Sequence, residues 1–260
     1  MNNNMDSLFD ISGKTALVTG GGRGIGLMIA RAYCERGVKV YISSRKEAVC
    51  KSIAEELSEK GQCYALPADL SNMDEICRVS DEIKSRESTL DILVNNAGAT
   101  WGGSIDEFPE KGWDKVMDLN LKGVFFLTQK LLPLLEAAGT PADPARVINI
   151  GSIDGLHTSK FDNFSYSPSK AALHHLTRML ATHLAARGVL VNAIAPGPFA
   201  TDMMAPMVET MGDDIVNAVP VNRMGGPDDA AGMAIFLAAR ASAYVNGAII
   251  PLDGGCFAAS

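Results

Sequence analysis

The chain lacks the long apolar runs and the leader segment that membrane or secreted proteins carry. Its apolar stretches fall far short of the roughly 18 residues that span a bilayer. Its first ten residues are polar and acidic, without a basic start or an apolar stretch. These absences predict a cytoplasmic protein that has no membrane partner.

Basic clusters and patterned cysteines are also missing. The net charge is -7, and no run of Lys and Arg is present, which argues against a nucleic-acid partner because phosphate binding depends on such clusters. The five cysteines are odd in number and show no C-x-x-C spacing, so we expect reduced thiols rather than disulfides or zinc. No carboxylate cluster accompanies His174, His175 and His183, and we predict that these histidines are surface or interface residues and that no metal is bound.

A regular alternation of short apolar runs and longer segments of helical period is present instead. The predicted strands are Thr15–Val18, Val38–Ile42, Cys63–Leu66, Asp91–Val94, Val147–Ile150, Leu190–Ile194 and Ala248–Leu252. The predicted helices are Gly24–Arg36, Glu47–Lys60, Asn72–Arg86, Trp113–Ala138, Ser167–Arg187 and Asp228–Ala239. This alternation predicts an α/β fold of the Rossmann type, a doubly wound parallel seven-stranded sheet with helices on both faces, formed by residues 1–260 as one domain. The Met- and Pro-rich segment Pro198–Pro227 is the least regular, and it is either a mobile lid over a substrate pocket or a packed surface excursion.

A glycine-rich turn follows the first predicted strand and leads into the first predicted helix. In that context backbone N–H groups and the positive helix end can hold a pyrophosphate, although a tight turn without a ligand is the alternative. The spacing is T-G-x-x-x-G-I-G rather than G-x-G-x-x-G. The predicted cofactor ligands in this turn are Gly20, Gly22, Arg23, Gly24, Ile25 and Gly26.

The second predicted strand ends at Ser43, Ser44, Arg45 and Lys46, with no acidic residue before Glu47. An acid at this point holds the ribose hydroxyl of NAD, whereas an arginine accommodates the 2′-phosphate of NADP. We therefore predict NADPH/NADP+ as cofactor, with Arg23 and Arg45 around the phosphate. A solvated charge pair is the alternative.

Three polar residues are predicted to meet at one sheet edge. Ser152 follows the fifth strand, and Tyr166 and Lys170 are four residues apart on one helix face. Tyr166 can give a proton to a carbonyl that accepts hydride, and Ser152 can hold the carbonyl oxygen. A cation about 4 Å away contributes about 4 kcal/mol at an effective dielectric near 20, so Lys170 is expected to lower the pKa of Tyr166 toward neutrality.

Asn120 lies in a largely apolar predicted helix. A buried amide costs about 1–3 kcal/mol unless its hydrogen bonds are made. Asn120 either binds a water that links Lys170 to solvent or is a structural residue that bends the helix, and the sequence leaves both open.

These features together resemble the short-chain dehydrogenase/reductase family over essentially the whole chain. The motifs that carry the resemblance are Thr19–Gly26, Asp69-Leu70, Asn95–Gly98, Asn120, Ser152, Tyr166 with Lys170, Pro196-Gly197 and Asp253–Gly255. The resemblance implies further cofactor contacts: Asp69 at the adenine, Asn96 and Gly98 along the adenosine ribose, Tyr166 and Lys170 at the nicotinamide ribose, and Pro196, Gly197, Phe199 and Thr201 at the carboxamide. Leu70 and Ala97 are further predicted cofactor-binding residues. Two departures are that Gly151 replaces the usual hydroxyl residue before the serine, and that the interval from Ser152 to Tyr166 is one residue longer than is commonest.

Within that family the motifs at Trp101-Gly102, Asn149–Ser152, Tyr166–Lys170 and Ile250–Gly255 resemble 3-oxoacyl reductases of the rhamnolipid-synthesis type. The resemblance implies reduction of a 3-oxoacyl thioester, a small-molecule carbonyl substrate. The alternatives are an NAD(P)-linked dehydrogenase of a sugar, steroid or other secondary alcohol, and a non-catalytic NADPH-binding sensor. The intact Ser152, Tyr166 and Lys170 argue against the sensor.

Two predicted helices carry more apolar residues than a single buried stripe needs. In Trp113–Ala138 and Ser167–Arg187 these include Phe125 and Leu173, and such surplus surface usually marks an interface. In the family that the chain resembles, the same two helices pair across a two-fold axis. We therefore expect a homodimer or homotetramer.

Overall fold

The computed structural model describes residues 5–159, 161–202 and 204–259. Within these ranges the strands are β1 Thr15–Thr19, β2 Lys39–Ser43, β3 Gln62–Ala65, β4 Ile92–Asn95, β5 Ala145–Ile150, β6 Val189–Pro196 and β7 Ile249–Leu252. The α-helices are α1 Gly24–Glu35, α2 Glu47–Ser58, α3 Met73–Arg86, α4 Glu110–Met117, α5 Gly123–Ala138, α6 Tyr166–Leu184, α7 Ala205–Asn217 and α8 Pro227–Ala238. Every predicted strand is present, and the predicted fold class is confirmed.

The strands in the described ranges form one parallel sheet in the order β3-β2-β1-β4-β5-β6-β7. The chain builds outward from β1 to β3 and then returns to the other side of β1, where β4 pairs with it. This reversal opens a crevice at the carboxyl ends of the central strands, the place where open α/β sheets bind ligands. The turns after β1, β4 and β5 all reach that edge.

Both faces of the sheet are buried, which is why its strands are short runs of Val, Ile, Leu and Ala. Successive residues alternate between two cores: Ala16 and Val18 pack on the side of α1, α2 and α8, whereas Leu17 packs on the side of α3, α5 and α6. No helix in the described ranges is long and apolar enough to cross a bilayer.

The predicted single helix over Trp113–Ala138 is wrong in detail. The helical segment begins at Glu110, and a π-helical turn over Asp118–Lys122 separates α4 from α5. In that turn the N–H of Gly123 donates to the carbonyl of Asp118, five residues back. Such wide turns occur frequently at functional sites.

The segment Pro198–Pro227 is more regular than predicted, because it contains α7. A parallel bridge between Phe199 and Gly225 ties its two ends together, and the N–H of Gly225 donates to the carbonyl of Pro198 at 2.9 Å. A proline in the first turn suits a helix start, where its missing N–H has no helical partner to lose. The role of a mobile lid stays a prediction.

Candidate active site

The glycine turn after β1 is packed too closely for side chains. Gly20 has a φ of +66°, and a Cβ added to Gly26 would lie 2.4 Å from the carbonyl oxygen of Gly20. The turn therefore presses directly on the first turn of α1. Arg23 caps this helix in an extended conformation, without a side-chain cap and without acidic residues in the first turn. The helix N-terminus thus offers N–H groups and a positive dipole end, which fit a pyrophosphate.

Thr19 and Asn96 hold this turn in place from behind. The Thr19 hydroxyl donates to the carbonyl of Val94 at 3.2 Å and accepts from the N–H groups of Asn96 and Ala97 at 2.9 and 3.0 Å. The Asn96 amide donates to the carbonyls of Thr19 and Gly20 at 2.9 and 3.3 Å. In this structure the Asn96 side chain therefore shapes the phosphate turn. The sequence predicts a ribose contact for Asn96 and no role for the Thr19 side chain.

A set of donors suited to a phosphate monoester lies where β2 ends. The hydroxyls of Ser43 and Ser44 are buried and have no hydrogen-bond partner among the described residues, and a Cβ at Gly22 would lie 3.0 Å from Ser44 Oγ. Arg45 follows and is exposed. Arg23 is also exposed and lies 3.9 Å from Asp202. These residues fit the 2′-phosphate of NADPH, and Ser44 is an addition to the predicted pair of arginines.

The remaining predicted cofactor residues border the same crevice. Asp69 accepts from the N–H and hydroxyl of Ser71 at 3.1 and 2.8 Å, and Leu70 beside it is buried. The N–H of Ala68 donates to the carbonyl of Ser44 at 3.1 Å, which brings this turn beside the predicted phosphate site. The adenine contact of Asp69 and the cofactor contact of Leu70 stay predictions.

The opposite wall follows β6. Pro196 ends that strand, and the N–H of Gly197 donates to the carbonyl of Leu252 at 3.0 Å. Phe199 is buried against Gly225, so its ring anchors the segment. A Cβ at Gly24 would lie 3.4 Å from the Thr201 methyl, so Thr201 closes the crevice against the phosphate turn. Their contacts with the carboxamide stay predictions.

Ser152, Tyr166 and Lys170 meet at the end of β5. Ser152 is buried and hydrogen-bonds with the Tyr166 side chain. The Lys170 ammonium donates to the carbonyl of Ile150 at 2.7 Å and lies 5.6 Å from the centre of the Tyr166 ring. The predicted trio is thus assembled in one place, at the predicted edge of the sheet.

The prediction that the pKa of Tyr166 is lowered is wrong, because the structure raises it. Burial raises its pKa to about 12, the hydrogen bond with Ser152 opposes this, and the negative charge of Asp154 adds to it. Burial also lowers the pKa of Lys170 to about 8. Loss of hydration is the largest cause for both groups, because both lie in the interior of the crevice. Tyr166 consequently keeps its proton at neutral pH, the form that a proton donor requires.

Asn120 sits in the π-helical turn and is fully buried. Its amide oxygen accepts from the N–H of Ala99 at 2.9 Å, and its amide nitrogen donates to the Ala99 carbonyl at 2.9 Å and to Ser169 Oγ at 3.0 Å. A Cβ at Gly98 would lie 3.4 Å from the Asn120 oxygen and 3.7 Å from Lys170 Nζ. Asn120 therefore joins the loop after β4 to α6. Its structural role is established by these bonds, and a water relay to Lys170 stays a prediction.

His174 is buried, so its predicted surface position is wrong, whereas His175 and His183 are exposed as predicted. Within the part of the chain that the structure describes, neither ring nitrogen of His174 makes a hydrogen bond of ordinary geometry, and burial lowers its pKa to about 4. A Cβ at Gly151 would lie 2.1 Å from His174 Nε2. The glycine that departs from the family pattern is therefore the residue that makes room for this imidazole.

Comparisons with known proteins agree with this geometry. A family model described as enoyl-(acyl carrier protein) reductase matches residues 20–256. The chain is 44% identical over 254 residues to the rhamnolipids biosynthesis 3-oxoacyl-[acyl-carrier-protein] reductase of Pseudomonas aeruginosa, covering 96% of this chain and 99% of that protein.

Solved structures give the same result. The Pseudomonas aeruginosa RhlG/NADP active-site complex superposes with a TM-score of 0.93 at 43% identity, over 96% of this chain and 99% of that one. A putative NAD(P)-dependent gluconate 5-dehydrogenase from Beutenbergia cavernae with bound NADP superposes with a TM-score of 0.90 at 33% identity, over 96% and 99% of the two chains. Each of these similarities extends over almost the whole length of both proteins.

Proposed function

Because the chain belongs to the short-chain dehydrogenase/reductase family, we propose that it is an NADPH-dependent oxidoreductase that reduces the ketone of a 3-oxoacyl thioester to the alcohol. The observation that carries this proposal is the meeting of Ser152, Tyr166 and Lys170 beside the phosphate turn. The reductase name and the NADP complex of the two Pseudomonas aeruginosa matches support the substrate and the cofactor.

The bound cofactor supplies the hydride that reduces the ketone carbon. The chain contributes two hydroxyls, those of Ser152 and Tyr166, between which a substrate oxygen can accept hydrogen bonds. Tyr166 is protonated at neutral pH and can give its proton to that oxygen. Lys170, with a pKa of about 8, is a cation at neutral pH and stabilises the negative charge left on Tyr166.

The preference for NADPH over NADH is proposed to come from the end of β2. Ser44 and Arg45 together with Arg23 provide hydroxyl and guanidinium donors, and no carboxylate lies between β2 and α2 to bind a ribose hydroxyl. Charge-assisted bonds from arginine to phosphate are roughly twice as strong as neutral ones. The donor set therefore favours the phosphorylated ribose.

We also propose that the chain acts as one cytoplasmic domain and assembles as a homodimer or homotetramer through α4, α5 and α6. Trp113 on α4 and Met179 on α6 are exposed apolar side chains, and Phe125 on α5 is half-buried. Leu173, which the sequence also suggested for this surface, is buried inside the protomer and does not belong to it. Sedimentation of the purified protein tests the assembly, since an active monomer at micromolar concentration would contradict it.

The activity is tested by following NADPH oxidation with purified protein and the N-acetylcysteamine thioester of acetoacetate. Tyr166→Phe should abolish turnover, whereas the matched control Tyr244→Phe should not, since Tyr244 is fully exposed. NADH in place of NADPH should give a much lower rate.

Two other substrates decide between alternative functions. The crotonyl thioester is included because the family model is described as an enoyl reductase, and 5-ketogluconate because a structural relative is described as a gluconate 5-dehydrogenase. Turnover of either one without turnover of the acetoacetyl thioester would replace the proposed function. We expect the 3-oxoacyl thioester to be the preferred substrate.

A further inference from the structure

A carboxylate that the proposed chemistry does not use lies beside the catalytic hydroxyls. Asp154 is in the short helical turn Ile153–Gly155, two residues beyond Ser152. Its N–H donates to Ser152 Oγ at 3.1 Å. Its side chain is only 21% exposed, so it is neither a solvated surface acid nor a core residue.

The position of this carboxylate is fixed by Asn163. The Asn163 amide donates to Asp154 Oδ2 at 3.1 Å, and its oxygen accepts from Ser167 Oγ at 2.8 Å. The carbonyl of Asn163 accepts the N–H of Tyr166 at 2.8 Å. Asp154 is therefore bound to the start of α6, which carries Tyr166, as well as to Ser152.

The charge of Asp154 is only weakly compensated. The nearest cationic partner among the described residues is His157, whose Nε2 lies 4.0 Å from Oδ1 and is charged only when protonated. Lys170 directs its ammonium to the carbonyl of Ile150, and His174 is neutral because burial lowers its pKa to about 4. Among the described residues Asp154 thus forms no ion pair with a lysine or arginine, and its negative charge acts on Tyr166.

We propose that Asp154 is a specificity-determining residue that repels substrates with a carboxylate near the reacting ketone and so selects neutral 3-oxoacyl thioesters over the free 3-oxo acids. This inference rests on the proposed function, since it concerns the same ketone site. A 3-oxo acid places its carboxylate two carbons from the ketone carbon, on the same side of the crevice as the thioester carbonyl. Because Asp154 lies two residues from Ser152 and its charge acts on Tyr166, we expect the same charge to act on a carboxylate held next to a ketone that binds these two hydroxyls.

The size of the effect follows from the charges. Two like charges about 8 Å apart at an effective dielectric near 20 repel strongly enough to weaken binding about thirtyfold. Asp154 is partly exposed, and solvent screens part of this repulsion. We therefore expect a discrimination of about tenfold that depends on the charge of residue 154.

The experiment compares three ketones with one carbon skeleton: the acetoacetyl thioester of N-acetylcysteamine, methyl acetoacetate and acetoacetate. Values of kcat/KM with NADPH are measured for the unaltered protein and for Asp154→Asn, which keeps the size of the side chain and an oxygen that can accept from Asn163. The ratio of acetoacetate to methyl acetoacetate should rise about tenfold in the variant. The ratio of thioester to methyl ester should change less than about twofold, because both of these substrates are neutral.

Controls separate a local charge effect from a general one. Asp162→Asn removes an exposed charge from the same loop and should leave both ratios unchanged. Asp154→Ala repeats the loss of charge without the hydrogen bond to Asn163 and should raise the acetoacetate ratio in the same way. Thermal melting and NADPH fluorescence titration establish that each variant is folded and binds cofactor.

Three results would overturn the inference. An unchanged acetoacetate ratio in both Asp154 variants, or an equal rise in Asp162→Asn, would show that Asp154 does not select on charge, while reduction of the thioester would leave the proposed function standing. If the unaltered protein reduced none of the three ketones with NADPH, the proposed function would fail and the inference with it.

Discussion

Replacing Gly151 by alanine should damage both stability and catalysis through His174. The added Cβ would lie 2.1 Å from His174 Nε2, far inside the distance at which carbon and nitrogen can approach. The backbone at Gly151 is held by its N–H, which donates to the carbonyl of Ile194 at 2.7 Å. The His174 ring is confined on another side by Gly155, where an added Cβ would lie 2.9 Å from the ring Cε1. Overpacking of this kind costs about 1–3 kcal/mol.

The expected loss can be measured by thermal and chemical unfolding. For a chain of this size a loss of about 2 kcal/mol lowers the Tm by roughly 4–8 °C. Ser152 is the next residue, and a shift of about 1 Å in a catalytic group can cost about a hundredfold in rate. We expect kcat to fall by about ten- to a hundredfold, with a smaller change in the affinity for NADPH.

A double-mutant cycle identifies the cause. His174→Ala alone should destabilise the protein by removing buried contacts, but the double variant Gly151→Ala/His174→Ala should be more stable than the sum of the two single changes predicts. The coupling should be about 1–2 kcal/mol, as found for residues in direct contact. Additive losses, or a Gly151→Ala protein as stable and active as the original, would refute the steric explanation.

The remaining predictions concern the hydroxyls, the phosphate donors and the buried imidazole. Tyr166→Phe should lower kcat by several orders of magnitude and leave the Kd of NADPH within a few-fold, because only the proton donor is lost; a large rise in Kd would show that the hydroxyl binds cofactor instead. Ser44→Ala should raise the Kd of NADPH but not that of NADH, and Arg45→Asp should in addition improve the use of NADH; an unaltered preference in both variants would place the selectivity elsewhere. His174 is a base whose pKa falls from 6.5 to about 4 on folding, so the unfolded chain binds more protons below pH 6.5 and stability is lost as the pH falls from about 6.5 to about 4. His174→Ala should flatten this acid limb of the stability curve, and an unchanged limb would mean that other groups cause it.

The sheet could be predicted from the sequence because its strands are buried on both faces. Runs such as Thr15–Val18 leave no other interpretation once helical segments separate them. The π-helical turn at Asp118–Lys122 could not be predicted, since its residues do not differ in type from those of an ordinary apolar helix. The helix α7 could not be predicted because the prolines and methionines of the segment Pro198–Pro227 are typical of an irregular segment, although a proline in the first turn is compatible with a helix.

The residues of the candidate site could be predicted where the reaction requires a fixed spacing between them along the chain. Tyr166 and Lys170 must share a helix face to serve one substrate, and that spacing is visible in the sequence. The buried hydroxyl of Ser44, the tether formed by Thr19 and the close contact of His174 with Gly151 depend on chain segments distant in sequence. The pKa of Tyr166 could not be predicted for the same reason, because the loss of hydration depends on packing in three dimensions.

The π-helical turn also changes which residues of the segment from α4 to α5 lie on the same face of the helix. In an α-helix each residue turns the chain by about 100°, so Val116 and Val124, eight residues apart, would point about 80° away from each other. Both are buried. The π-helical turn holds one residue more than an α-helical turn, so these eight residues rotate the chain by about the angle of seven. The same turn carries Asn120, whose amide bonds Ala99 and Ser169, so the change in helical phase and the tether between the loop after β4 and α6 arise at one place.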